Sequence, residues 1–112
     1  MDDDEWARFH ELVNMSTREL RDWLGTEVAE RAGTGVDAGP LADRDDVELG
    51  RQVLAILGKR RSDLTNEDVE VIHHVGARIA RLRSELPPEP VAGSDRRRHR
   101  LMALGHDPLL AR

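Results

Sequence analysis

With 112 residues, no cysteine, 35% charged side chains and a net charge of −5, the chain has room for one domain and not two. The absence of thiols excludes a disulfide framework and any thiolate metal site, and no apolar run approaches the length of a membrane span. The opening Met1-Asp2-Asp3-Asp4-Glu5 is acidic where a secretory signal would be basic, so a cytoplasmic protein is expected.

The apolar inventory is 14 Leu, nine Val, three Ile and three Met, with Trp6, Trp23 and Phe9 as the aromatics. Leucine and alanine outweigh β-branched residues, a balance that favours helix. The first helix is expected over about Asp3 to Val13, where Trp6, Phe9, Leu12 and Val13 recur at helical spacing. Its acidic start suits the positive end of the helix dipole. Ser16-Thr17-Arg18-Glu19 is a capping box that opens a second helix with Leu20, Trp23 and Leu24 on its apolar face. Gly25 ends that helix, or it continues weakly through Val28 to Ala32. Residues 33–43 hold three glycines and a proline and are expected to form a loop.

A third helix is expected from Asp43–Asp46, carrying Val47, Gly50, Val53, Leu54 and Leu57 to a stop at Gly58 and Lys59-Arg60-Arg61. Thr65 and Asp68 make a second box-like cap for the longest helix. Along it Val69, Ile72, Val75, Gly76, Ile79, Leu82 and Leu86 keep helical spacing until Pro87-Pro88-Glu89-Pro90 stops it. A Pro-rich connector over 87–94 leads to a short last helix, about Asp95 to Leu104, and to the turn Gly105-His106-Asp107-Pro108. The expected fold is therefore all-α: four main helices and a short C-terminal one, in a single domain spanning 1–112, with no strand and no internal repeat.

Nothing resembles an enzyme active site. There is no Cys or Tyr, the single Lys59 sits in a charged turn, and each serine lies near a helix end or turn where capping explains it. His73 and His74 are adjacent on one helix and point about 100° apart, so they cannot share a metal as an i, i+4 pair does. No metal, cofactor or catalytic residue is expected. His106 with Asp107 could form a general base and its orienter. Lacking a nucleophile or pocket, the pair reads instead as part of a structural turn that packs the tail onto the helices.

Charge is distributed unevenly. Residues 1–50 carry 14 acidic and five basic side chains, and residues 51–112 carry eight acidic and 12 basic. Such asymmetry points either to an anionic partner for the basic half or to attraction between the halves within the fold. The basic clusters are Lys59, Arg60 and Arg61, then Arg78, Arg81 and Arg83, then Arg96, Arg97 and Arg98 with His99 and Arg100. The chain is arginine-rich, and arginine suits forked contacts to phosphate and to guanine edges.

Two stretches carry a family resemblance: Val13-Asn14-Met15-Ser16 through Glu19-Leu20 and Trp23-Leu24, and the tail Leu101-Met102-Ala103-Leu104-Gly105-His106-Asp107-Pro108-Leu109. With Ile56-Leu57 and Asp63-Leu64-Thr65 between them, the chain is similar over nearly its whole length to a family known only as a domain of unknown function. Where aromatics and an Asn are expected in such a tail, this chain has Arg97, His99, Ala103 and Leu104. The resemblance implies a compact helical protein, some of whose relatives are associated with DNA binding, and no catalytic residues. Ser16 to Leu24 also resembles the first helix of the SAP DNA-binding motif, without a matching second half.

Two functions are expected from these features. The first is a non-enzymatic DNA-binding module with a basic face of Lys59, Arg60, Arg61, Arg78, Arg81, Arg96, Arg97, Arg98 and Arg100. It requires the last helix to lie beside the 59–61 turn and the acidic first helix to lie opposite. The second is a protein-interaction or homo-oligomeric module in which the apolar stripe of residues 69–86 meets a partner helix.

Overall fold

A computed structural model of the chain describes residues 1–26, 45–85 and 96–110. Among them it shows five helices, one short 3-10 turn and no strand. The helices are α1 (Asp3–Leu12), α2 (Thr17–Leu24), α3 (Asp46–Leu57), α4 (Asn66–Ser84) and α5 (Arg96–Ala103). The all-α expectation is met. The readings of a continuation to Ala32, a loop over 33–43 and a connector over 87–94 lie outside the described residues.

The helix starts follow from local chemistry. Ser16 and Glu19 form the capping box: the Glu19 backbone N–H donates to Ser16 Oγ (3.1 Å) and the Ser16 N–H donates to the Glu19 carboxylate (2.9 Å). Thr65 and Asp68 repeat the arrangement, with Asp standing in for Glu at 3.0 and 3.1 Å. A third box, Asp2 with Glu5, opens α1. The D-x-x-E spacing that signals it lies within the acidic run, where dipole attraction alone had accounted for it. The helix ends agree closely too. Val13 caps α1, Gly25 caps α2 and Gly58 caps α3, after which Arg61–Asp63 makes an unanticipated 3-10 turn.

α4 is the central strut: α1, α3 and α5 all pack on it, while α2 packs on α3 and α5. Leu49, Val53 and Ile56 of α3 meet Val75, Ile79 and Leu82 of α4 in a core that Leu20, Leu101 and Leu104 complete. The buried stripe of α4 is Val71, Ile72, Val75, Ile79 and Leu82, with Val69 only half-buried. The stripe proposed to meet a partner helix is thus largely taken up by the protein's own core. Gly50 allows α3 and α5 to approach closely, because a Cβ there would collide with the Ala103 carbonyl oxygen and stand 2.9 Å from Leu24 Cδ2.

Candidate interaction surface

The basic residues do not gather on one face. Arg78 is buried at 3% exposure and donates through Nη1 to Asp46 Oδ1 at 2.9 Å. Arg100 reaches the other oxygen of the same carboxylate, Asp46 Oδ2, at 2.7 Å. One fully buried aspartate in the first turn of α3 thereby ties α4 and α5 to it. Arg78 is removed from the outer surface, and the nucleic-acid face expected from the sequence loses it for this physical reason: a buried guanidinium must be matched by a carboxylate.

Arg98 pairs with Asp107 through two parallel contacts, Nε to Oδ1 at 3.1 Å and Nη2 to Oδ2 at 3.0 Å. Arg97 donates to the Glu85 carbonyl at the end of α4. Arg81 and Arg96 have partners of their own. At the other cluster, Lys59 Nζ contacts Asp68 at 2.6 Å, and that contact holds the Asp68 carboxyl below its usual range. Arg61 pairs with Asp3 at 2.9 Å, and Arg60 pairs with Asp63 while its side chain stays 85% exposed.

These pairs place the clusters apart. Asp68 and Lys59 mark one end of the antiparallel α3–α4 pair, and Asp46, Arg78 and Arg100 mark the other. The ten residues from Asp68 to Arg78 span roughly 15 Å of helix at 1.5 Å per residue. The last helix therefore does not lie beside the 59–61 turn, and the acidic start of α1 lies against that turn through Asp3 instead of opposite it. Opposite charges in the two halves of the chain are largely satisfied by each other.

The tail is a latch. Gly105 adopts φ +95, its N–H bonds to Met102 O (3.0 Å) and the His106 N–H bonds to Leu101 O (2.9 Å), which is a Schellman ending of α5. Asn14 clamps the backbone of Asp107, donating from Nδ2 to its carbonyl at 2.9 Å and accepting its N–H at Oδ1 at 2.8 Å. Met15 N–H donates to the Gly105 carbonyl at 3.1 Å. The two motifs that carried the resemblance thus meet as one joint.

His106 Nδ1 donates to the Leu12 carbonyl at 2.6 Å. Desolvation holds its pKa below 6.5, with the Leu12 bond and Asp107 opposing that shift and Arg83 adding to it. The neutral ring is favoured by folding. This contribution to stability is complete above the unfolded pKa of about 6.5 and is lost as pH falls below it. Thermal midpoints measured from neutral pH downward should show that decline, and a His106→Gln variant should lack it. An unchanged decline in the variant would assign it to other groups.

What stays open is a trough of about 440 Å³ between α1 and α4. Phe9, Leu12 and Val13 on one side and Ile72, Val75 and Ile79 on the other make its walls and floor. Gly76, Ala77 and Ala80 keep the α4 side low. A Cβ added at Gly76 would meet nothing nearer than Leu12 Cδ1 at 3.9 Å. Asp2, Asp4, Glu5 and Glu11 edge the α1 side. Sequence reading missed this surface, because it arises from a gap between two helices whose apolar stripes each looked complete.

Residues 8–102 match DUF3140, a family of proteins of unknown function. The chain belongs to that family. No curated protein and no solved structure matches it. The DUF3140 match covers the Asn14 side of the latch and most of α5, and it ends before Gly105 and Asp107. Among the described residues of this DUF3140 chain, no three His, Asp or Glu side chains gather in a metal-binding group, and no helix is long and apolar enough to cross a membrane.

Proposed function

We propose that this protein is a non-catalytic, cytoplasmic protein-interaction module that docks a partner along the α1–α4 trough. The observation that carries this reading is an apolar trough with a low Gly76-Ala77-Ala80 rim. Small side chains at helical spacing let another helix axis come close, as helix-in-groove recognition requires. The scarcity of free nucleophiles and the internal pairing of most arginines support a binding role over a chemical one. A photo-crosslinking residue at position 77 should capture a protein partner, and Ala80→Trp, which fills the trough without changing charge, should abolish capture. Capture that survives Ala80→Trp would place the partner elsewhere.

DNA binding is the second reading. Its support is the exposed Arg60, with Arg61 beside it and Arg96 exposed at the start of α5. It predicts retention of duplex or single-stranded oligonucleotides at low salt, with a slope of roughly 0.9 counterion per phosphate neutralised. Arg60→Gln with Arg61→Gln should flatten that slope. The interaction module predicts no salt-dependent retention.

A further inference from the structure

We infer that the trough selects a basic amphipathic helix supplied by a different protein, an inference that rests on the interaction-module reading. Three observations narrow the occupant. The first is length. The α4 wall runs from Ile72 to Arg83, about 16 Å at the helical rise, which matches three turns of a helix laid along it. An extended peptide would need an unpaired sheet edge to satisfy its backbone, and the described residues contain no strand. A helix satisfies its own backbone and asks the trough only for shape and apolar contact.

The second is charge. Asp4, Glu5 and Glu11 stand along the α1 side, against Arg8 on the same helix. Asp4 and Glu11 have no cationic partner among the described residues, in contrast to Asp3, Asp46, Asp68 and Asp107, each of which holds a lysine or arginine. The acidic residues that the fold leaves unneutralised are therefore those beside the trough. Lysine or arginine flanking the apolar stripe of an incoming helix would meet them, favouring basic partners and repelling acidic ones.

The third concerns a second copy of this chain. A trough needs a convex apolar ridge to fill it. Among the described residues the only large apolar side chain that is openly exposed is Leu109, alone on the tail. This surface has a seat and no matching ridge, so the occupant comes from elsewhere.

The test uses the whole protein and two synthetic helical peptides about four turns long, with leucine at i, i+3, i+4 and i+7. One peptide carries lysine beside the stripe and the other glutamate. Binding is followed by fluorescence anisotropy at low and high salt, alongside sedimentation of the protein alone. The lysine peptide should bind at least about tenfold tighter than the glutamate peptide, a difference of about 1.4 kcal/mol. Ala80→Trp should weaken that binding by a similar factor. Asp4→Asn with Glu11→Gln should weaken it and flatten its salt dependence, while circular dichroism and the thermal midpoint stay as in the parent.

Equal binding of both peptides would overturn the charge selection and leave the interaction module standing. Lysine-peptide binding unaffected by Ala80→Trp would show attraction to the acidic chain at large, and overturns the inference. A dimer of the protein alone that Ala80→Trp dissociates would make a second copy the occupant, which overturns the inference and keeps the module. Binding of neither peptide, with no self-association, would overturn the inference and the module together.

Discussion

Asp46→Ala should lower stability by about 3–5 kcal/mol, the range found when one member of a buried ion pair is removed and its partner is left unmatched. Two guanidiniums lean on this carboxylate, Arg78 at 2.9 Å and Arg100 at 2.7 Å, and the Arg78 side chain is only 2% exposed. Arg78 cannot turn to water without opening the contact between α3 and α4. The loss is a large part of the roughly 5–15 kcal/mol that holds a domain of ordinary size together. Thermal or urea unfolding of the variant reads it directly.

The single changes should rank in order. Arg78→Met leaves Asp46 with Arg100, and Arg100→Gln leaves it with Arg78, so each should cost less than Asp46→Ala. Replacing Asp46, Arg78 and Arg100 together by apolar residues of similar size should recover most of the loss, since buried ion clusters stabilise little beyond what good apolar packing provides. A variant with Asp46→Ala as stable as the parent would mean that water reaches Arg78 freely.

The second large effect is expected at Gly50. Gly50→Ala should cost about 3 kcal/mol, the upper part of the range for overpacking a tight core. The added methyl would collide with a backbone carbonyl, that of Ala103, which no rotamer change can move. α5 would have to shift as a body, straining the Arg100–Asp46 contact and the Gly105 turn behind it. Gly76→Ala provides the internal control. Its methyl meets only Leu12 Cδ1 at 3.9 Å, so the helix-propensity gain of about 1 kcal/mol should prevail and the protein should become more stable. One chemical change at two glycines should thus give opposite signs. Equal effects would mean that α3 and α5 do not approach as closely as Gly50 allows.

The local features were written in the sequence. Ser16 and Glu19, Thr65 and Asp68, and the 3.6-residue recurrence of Leu20, Val75, Ile79 and Leu82 set where helices begin and which faces they bury. These interactions span only a few residues, so they depend little on the rest of the chain. Gly105 with Asp107 and Pro108 announced the turn of the tail for the same reason. The fate of the charges was not local. Arg78 and Arg100 find Asp46 across separations of 32 and 54 residues, and Asn14 finds Asp107 across 93. A run of arginines looks the same in sequence whether it faces solvent, a ligand or a buried carboxylate. The choice depends on how the helices pack, and here packing turned most of a prospective basic face into internal ties. The same packing left one seam between α1 and α4 unfilled, because the small side chains of Gly76, Ala77 and Ala80 cannot reach across it.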